Sequence, residues 1–147
     1  MTVIWQIAAG DKEKDLVPTM LENGVMIIGP GRIRDITSPD NDKLTIEKKL
    51  LKNGQPKNDA GSLIAFRDKA KEGAIVVLRL GSVCFAVGVI AGKYKWDNKY
   101  KEVCSYWNRN NKYDSEIEKK EEGWDLQHTR EVAWYVLKDN DLLSSFL

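Results

Sequence analysis

The feature that most constrains this fold is the run AIVVLRLGSVCFAVGVIAGKY, residues 74–94. It is almost continuously apolar and rich in valine, and its centre holds the turn-forming pair Gly81-Ser82. Two apolar β-type runs joined by such a pair indicate a β-hairpin. Continuous apolar character is typical of strands in the centre of a sheet. We therefore predict two neighbouring central strands on either side of this turn.

The N-terminal part of the chain predicts a strand, a helix and a second strand. TVIWQIAAG, residues 2–10, is a β-rich run ended by glycine. The next stretch has apolar residues at helical spacing, with Asp11 able to cap its start and Gly24 placed to end it. Pro18 is unfavourable inside a helix, so the helix is expected to begin late, with Pro18 in its first turn. VMIIG, residues 25–29, is then a short buried strand.

The rest of the chain adds two helices and a last strand. Residues 43–51 predict a helix among turn-forming residues, and SLIAFRDKAKEG, residues 62–73, predicts a second one. REVAWYVL, residues 130–137, predicts the last strand. Repeated βαβ units are missing from this order. It predicts an α+β fold in a single domain, residues 1–147, with a small curved sheet or open barrel flanked by helices.

Composition excludes several classes of protein. The chain of 147 residues is 42% hydrophobic and 31% charged with a net charge of +1, so no global field favours nucleic acid or a membrane. No apolar run approaches the ~18 residues of a membrane span, and the N-terminus does not resemble a signal peptide. Cys84 and Cys104 lack disulfide-scaffold or metal-site spacing. We expect a cytoplasmic protein with two reduced cysteines.

Enzyme signatures are missing from the sequence. It has no phosphate-binding loop, nucleophile elbow, zinc-protease or dinucleotide motif. With His128 as the single histidine, a histidine-rich metal site is impossible. A thiolate pair of Cys104 with His128 is the remaining enzymatic alternative, and nothing in the spacing favours it. We therefore expect no catalytic activity, no cofactor and no metal.

The segment KYKWDNKYKEVCSYWNRNNKY, residues 93–113, interleaves cations with aromatic residues. Such a segment suits a nucleic-acid strand, because cations neutralise phosphates while aromatic faces stack on bases. The alternative is a long hairpin whose aromatic residues cover the sheet while its lysines lie in solvent. The residues concerned are Lys93, Lys95, Lys99, Lys101, Arg109 and Lys112, with Tyr94, Trp96, Tyr100, Tyr106, Trp107 and Tyr113.

The stretch GWDLQHTREVAWY, residues 123–135, holds a core residue and a candidate pocket wall. In the last strand Trp134 shares a face with Val132 and Val136, which indicates burial. Trp124 lies before the strand beside Asp125, an arrangement that suits a pocket for a flat aromatic ligand. His128 has two interpretations: a structural hydrogen bond that fixes the loop, or a contact to phosphate or ligand.

Four motifs in order resemble the EVE branch of the PUA-like superfamily: VIWQIAAG, NGVMIIGPG, EGAIVVLRLGSVCFAVGVIAGKY and GWDLQHTREVAWY. Within that branch they are similar to the N-terminal modules of prokaryotic modification-dependent restriction proteins of the McrB and Mrr-related kind. The family's HxRxVxW signature is present from His128 to Trp134, whereas its GDIV start is GAIV here, with Ala74 in place of the acid. The resemblance extends from Trp5 to Trp134.

The resemblance implies a function as well as a fold. EVE domains and the related YTH domains bind nucleic acid and take a modified base into an aromatic cage, without catalysis. The restriction modules flip that base out of DNA and leave cleavage to a nuclease or NTPase domain or subunit. We therefore expect a module of a prokaryotic defence system that binds DNA with a methylated base, no membrane, and a longer parent protein. The alternatives are an RNA-binding PUA-like domain and a protein–protein interaction module.

The resemblance also implies site residues. Trp124 matches the YTH cage tryptophan that precedes the last strand, while Trp96 and Trp107 compete for a second cage position. The third cage tryptophan would fall within residues 26–28, where this chain has no aromatic residue. The implied base pocket comprises Trp124, Asp125, Trp96, Tyr94, Ile28 and Gly29. The implied phosphate contacts are Arg32, Arg34, Lys93, Lys95, Lys99, His128 and Arg130.

Overall fold

The computed structural model describes residues 4–9, 16–100 and 126–138. Six strands and three α-helices lie in these ranges. In chain order they are β1 (Ile4–Ala8), α1 (Val17–Asn23), β2 (Val25–Ile28), α2 (Lys43–Lys52), α3 (Asp59–Ile64), β3 (Ile75–Leu80), β4 (Val83–Ile90), β5 (Lys95–Trp96) and β6 (His128–Val136). A 3₁₀ turn spans Gly31–Ile33, and a π-helical turn, Ala65–Lys69, directly continues α3.

The strands form one curled mixed sheet in the order β1-β3-β4-β6-β2, and β5 also pairs with β6. β1 lies parallel to β3, while the other neighbouring strands are antiparallel. The sheet forms a half-barrel with β1 and β2 at its two edges, flanked by helices. The predicted α+β fold with a small curved sheet is therefore confirmed at this level.

The central hairpin lies where the apolar run predicts it. β3 and β4 pair in antiparallel register across a turn at Gly81, which has a φ of 61°. Glycine suits this turn because other residues rarely adopt a positive φ. Val76, Leu78 and Ala86 point into the half-barrel and are completely buried. The hairpin therefore forms the centre of the hydrophobic core, as expected.

Helix α1 confirms two of the three signals read from its sequence. It begins at Val17 with Pro18 in its first turn, and it ends at Gly24, whose φ of 60° lets its N–H donate to the Met20 carbonyl. Asp11 was expected to cap this helix, and that expectation is wrong because the N-cap position belongs to Leu16. The late start follows from Pro18, which has no N–H to donate inside a helix.

The two other helices pack on the sheet with one difference from prediction. α2 begins as expected, with the Asp42 carboxylate accepting from the Thr45 N–H at 2.8 Å, and buries Ile46 and Leu50. The helix predicted for residues 62–73 begins earlier, at Asp59, and changes to a π-helical turn in which the Ala70 N–H donates to the Ala65 carbonyl. Apolar spacing does not distinguish a π-helical turn from an α-helical one.

Strand β6 is longer than predicted. It begins at His128 instead of Arg130, because Ile28 of β2 and Trp96 of β5 pair with His128 from opposite sides. The predicted alternation holds in the middle of the strand, where Val132 is buried, Trp134 is half-buried and Glu131 is exposed. It is wrong for Val136, which was expected on the buried face and is 51% exposed. His128 is thereby fixed within the sheet, and this placement decides its role.

Candidate functional site

His128 lies completely buried at the start of β6 and makes two hydrogen bonds. Its Nε2 lies 2.8 Å from the Pro30 carbonyl oxygen, and its Nδ1 lies 2.6 Å from the Tyr94 hydroxyl. A carbonyl only accepts, so Nε2 carries the proton and the Tyr94 hydroxyl donates to Nδ1. Burial lowers the pKa of His128 to about 4. The neutral ring therefore has the structural role, the first of its two interpretations, and has no surface to offer a phosphate.

Tyr94 is a loop anchor in the structure, and its expected place in a base pocket is corrected. Its hydroxyl also accepts from the Ile36 N–H at 3.2 Å, and its ring meets Phe66 edge-on at a centroid distance of 6.4 Å. The other ring neighbour is His128, stacked at 5.7 Å. Burial raises the pKa of Tyr94, so the phenol stays protonated. With both its ring and its hydroxyl engaged, Tyr94 has no free face for stacking on a base.

Arg130 is buried and holds three backbone carbonyls, which corrects its assignment as a phosphate contact. Its Nε donates to the Phe66 carbonyl at 2.9 Å, one Nη to the Gly92 carbonyl at 2.8 Å and the other to the Arg67 carbonyl. Burial lowers the pKa of this guanidinium, and Glu72 and Asp68 act against that shift. Arg130 therefore fastens β6 to the π-helical turn, where unpaired carbonyls need donors.

A second arginine, Arg67, secures the loop of residues 29–42 from the other side. One Nη donates to the carbonyls of Ile36 and Asn41 at 2.9 and 2.8 Å. Its Nε and second Nη form a bidentate pair with Asp68 at 2.7 and 2.9 Å. Hydrogen bonding to Asp68 raises the pKa of Arg67. No local pattern predicts this role of Arg67, because both loop carbonyls lie more than 25 residues away along the chain.

Trp96 ties the same loop to β5. Its indole N–H donates to the Gly31 carbonyl at 2.9 Å, and the side chain is half-buried. At Gly31 an added Cβ would lie 1.8 Å from Oε1 of the buried Gln127, so only glycine allows this approach. Gln127 in turn donates to Asn98 at 2.9 Å. Trp96 is one of the expected pocket residues, and only its partly exposed surface is available to a ligand.

The loop holds Arg34 exposed in a strained backbone conformation. Arg34 has a φ of 64° and a ψ of −164°, a region that is essentially restricted to glycine. Its N–H donates to the Gly31 carbonyl at 2.8 Å, while Ile33 and Ile36 on either side are buried. Four side chains hydrogen-bond to this loop: His128, Tyr94, Arg67 and Trp96. Together with the buried neighbours they hold the conformation in place. For Arg32, the structure describes the backbone and not the side chain.

The lysines near β5 are exposed, whereas the tyrosines between them are buried. Lys93, Lys95 and Lys99 lie in solvent, and Tyr94 and Tyr100 are at most 9% exposed. Lys95 and Lys99 line one groove of about 400 Å³, where Asp97 lies 3.6 Å from the Lys95 ammonium. Over residues 93–100 the structure therefore matches the alternative in which aromatic residues cover the sheet while the lysines lie in solvent. The rest of the segment, residues 101–113, lies outside the described residues.

Several predicted residues meet around the anchored loop, and others cannot be placed. Ile28 pairs with His128, and the half-buried Gly29 leads into the Pro30 carbonyl that His128 binds. Trp124 and Asp125, on which the expected base pocket centres, lie outside the described residues, as do Cys104 and Trp107. The base pocket expected around Trp124 and Asp125 therefore stays a prediction.

A separate cavity lies between β1, β2 and the π-helical turn. Its volume is about 320 Å³, and its lining is mostly apolar. Ile28 is the one predicted site residue that lines it. The sequence did not indicate this cavity, because it forms between two strands that the chain brings to opposite edges of the sheet. Its lining includes Trp5, Ile7, Met26, Ile28, Ala65 and Phe66.

Comparison with known proteins gives a family. A family model described as a domain of unknown function, DUF8426, matches residues 5–145. The chain belongs to the DUF8426 family. No curated protein and no solved structure shows significant similarity to it.

Over residues 4–9, 16–100 and 126–138 of the DUF8426 domain, no helix is both long and apolar enough to cross a membrane. The same ranges contain no group of three histidine, cysteine or acidic side chains that could hold a metal ion. Cys84 is a buried free thiol whose pKa is raised by burial.

Proposed function

We propose that this chain is a non-catalytic PUA-like module that binds nucleic acid, with DNA carrying a methylated base as its preferred ligand. Four motifs in the PUA-like order and the curled half-barrel support this proposal. The observation that carries it is the anchoring of the Arg34 loop onto the lysine-bearing β5 segment, through the hydrogen bond from Trp96 to Gly31. Exposed cations therefore lie on two segments that this hydrogen bond joins: Arg34 on the loop, and the lysines near β5.

This arrangement suits phosphate binding for an electrostatic reason. Arg34, Lys93, Lys95 and Lys99 are exposed, and the chain carries a net charge of only +1, so attraction to phosphates is local. Each cation that neutralises a phosphate of duplex DNA contributes about −0.9 to the slope of log K against log salt. Four contacts would give a slope of about −3.6. A fixed loop loses little conformational entropy on binding, which favours affinity.

The base-recognition part of the proposal rests on the resemblance. Trp124 would stack on a base flipped out of the duplex, and Asp125 would accept hydrogen bonds from its edge. Flipping costs a few kcal/mol, which stacking and edge hydrogen bonds have to offset. Cleavage would belong to a nuclease or NTPase domain or subunit elsewhere in the system. An RNA ligand is the alternative within this class, because the same cations bind either backbone.

A protein–protein interaction module is the second candidate, and the outer face of the sheet favours it. Ile4, Val89 and Tyr135 are 58%, 46% and 59% exposed there. Contiguous apolar surface of this kind is typical of interaction sites. Binding through such a face depends little on salt, whereas phosphate binding weakens steeply as salt rises. Salt dependence therefore separates the two candidates.

The test is a binding titration at several salt concentrations between about 50 and 200 mM. The ligands are duplex DNA with and without methylated cytosine or adenine, and a single-stranded RNA of the same sequence. The double variant Lys95→Gln/Lys99→Gln should reduce the salt slope by about 1.8. Its matched control is Lys48→Gln/Lys52→Gln, which removes two exposed lysines from α2 and should leave the slope unchanged.

Base recognition has its own variant and its own contrary outcome. Trp124→Ala should abolish any preference for methylated over unmethylated duplex while leaving most of the salt-dependent affinity. The cage assignment is wrong if Trp124→Ala keeps the wild-type preference. The whole proposal fails if no nucleic acid binds more tightly than about 100 μM, which is weaker than ordinary non-specific binding to DNA.

A further inference from the structure

The cavity between β1 and β2 is lined by a strand edge. Residues 5–8, four consecutive residues of β1, all line it. Successive side chains of a strand point to opposite faces, so four consecutive residues can share a cavity only if the cavity lies along the strand's edge. Within the described residues β1 pairs with β3 alone, which leaves its other edge without a partner strand.

The register of β1 shows which backbone groups this open edge presents. The Ala9 N–H donates to the Arg79 carbonyl of β3 at 2.8 Å. The N–H and C=O groups of successive residues point alternately to the two sides of a strand, so Trp5 and Ile7 bond to β3 in the same way as Ala9. Gln6 and Ala8 therefore direct an N–H donor and a C=O acceptor each towards the open edge.

The walls of the cavity are apolar and fixed. Met26, Phe66 and Val76 are buried, and the half-buried Trp5 lies on the inward face of β1 with Ile7. The π-helical turn forms one wall, and Arg130 holds it by the carbonyls of Phe66 and Arg67. π-Helical turns are frequent at functional sites, because the wider turn reshapes the adjoining surface. A ligand would meet flat apolar walls and, on one side, a row of backbone donors and acceptors.

We propose that this cavity binds a small planar heteroaromatic molecule of the nucleobase class. The ligand's faces pack against the apolar walls, and its donor–acceptor edge pairs with the backbone of Gln6 and Ala8. A volume of about 320 Å³ lies at the lower end of the range of about 300–1,000 Å³ for ligand cavities, so the ligand is a single ring system. Nucleobases carry adjacent donors and acceptors on one edge, which a strand edge can match.

This ligand has two sources that share one chemistry: a free base, or a base extruded from a nucleic acid. Only the second source rests on the proposed function. Among the described residues of the expected base pocket, Ile28 lines this cavity, whereas Trp96 and Tyr94 do not. Ile28 lines it, and the loop that carries Arg34 follows Ile28 directly along the chain. A base in the cavity would therefore lie close to the start of the cationic loop.

The test follows the backbone amide signals of the whole chain by NMR during titration with free adenine, N6-methyladenine, cytosine and 5-methylcytosine. For a ligand of this size we expect a Kd on the order of 100 μM for at least one base. The amides of Gln6 and Ala8 should shift more than those of Trp5 and Ile7, which bond to β3. A ligand at any other site would not produce this alternation along one strand.

Ser62→Trp is the blocking variant, because Ser62 is exposed on α3 and lines the cavity. It should weaken binding of the free base at least about tenfold. Lys69→Trp is its matched control: Lys69 is exposed on the adjoining π-helical turn, outside the cavity lining, and this variant should bind as wild type does. The inference is overturned if no base binds below about 2 mM, or if Ser62→Trp binds as tightly as the control.

A further set of titrations distinguishes failure of this inference from failure of the proposed function. Duplex DNA and single-stranded RNA are titrated against wild type, Ser62→Trp and Lys95→Gln/Lys99→Gln. Free-base binding without any nucleic-acid binding supports the cavity and a free ligand, and contradicts the proposed function. Loss of methyl preference in Ser62→Trp, with the salt slope retained, supports a base delivered by nucleic acid. Nucleic-acid binding without any free-base binding overturns the cavity proposal and leaves the proposed function standing.

Discussion

Lowering the pH from about 7.5 to about 4.5 should destabilise this fold through His128. Burial lowers the pKa of His128 to about 4 in the folded chain, against an ordinary value of 6.5. Both ring nitrogens are occupied, one as donor to Pro30 and one as acceptor from Tyr94, so an added proton would break the second bond. Below the ordinary pKa the unfolded chain therefore binds a proton that the folded chain does not.

The size of the effect follows from these two pKa values. Each unit of difference corresponds to about 1.4 kcal/mol, so the full loss of unfolding free energy is on the order of 3 kcal/mol, complete below pH 4. Roughly 1 kcal/mol of this is lost by about pH 5.5, and most of it by about pH 4.5. The stabilisation is fully present above pH 6.5 and declines as the pH falls towards the folded pKa. A loss of this size is a large part of the stability of a small domain.

Urea denaturation at several pH values between about 4.5 and 7.5 measures this loss. The matched variant is His128→Gln, because a glutamine can accept from Tyr94 and donate to Pro30 without titrating. His128 is the chain's single histidine, so the difference between the two pH profiles isolates it. The reasoning is refuted if wild type loses no stability over this range, or if His128→Gln loses as much. An NMR titration that placed the His128 pKa near 6.5 would refute it independently.

Three further predictions concern the anchored loop. Arg34→Gly should raise the unfolding free energy by about 1 kcal/mol, because glycine tolerates the positive φ, while reducing nucleic-acid affinity; lower stability in urea denaturation would contradict the strain. Arg130→Met should cost about 3 kcal/mol by the same assay, since one buried and two part-buried carbonyls lose their donor; a cost below about 1 kcal/mol would contradict this role. Gly31→Ala should cost more than about 1 kcal/mol, and it should cost less in a chain that carries Gln127→Gly, which removes the clashing Oε1, Cδ and Cβ; an equal cost in both chains would show that the clash is not the cause.

Local signals in the sequence predicted most of the secondary structure. The hairpin follows from two apolar runs around Gly81, and the end of α1 follows from Gly24, whose positive φ matches its position after the helix. Such features depend on a few neighbouring residues, so they can be read without knowing the fold. The curled sheet followed from the order of these elements, because without βαβ units a sheet of this size buries its apolar inner face by curling around the core.

The site could not be predicted in the same way, because its contacts join distant parts of the chain. Tyr94 looks like a stacking residue in a basic segment, and its burial depends on His128, 34 residues away. Arg130 looks like a phosphate contact, and its role depends on carbonyls of the π-helical turn more than 60 residues away. Long-range hydrogen bonds of this kind leave no periodic trace. The cavity at the edge of β1 was missed for the same reason.

The structure also changes what the signature at the end of the chain means. His128, Arg130, Val132 and Trp134 alternate along β6 and point into the half-barrel, where each joins a different part of the chain. His128 binds Pro30 of the loop, Arg130 binds the π-helical turn, and the Trp134 indole N–H donates to the Val25 carbonyl of β2 at 3.2 Å. Val132 is buried in the core between them. These four residues bind the fold together, and the ligand contacts that we propose lie instead on the Arg34 loop, the lysines near β5 and the open edge of β1.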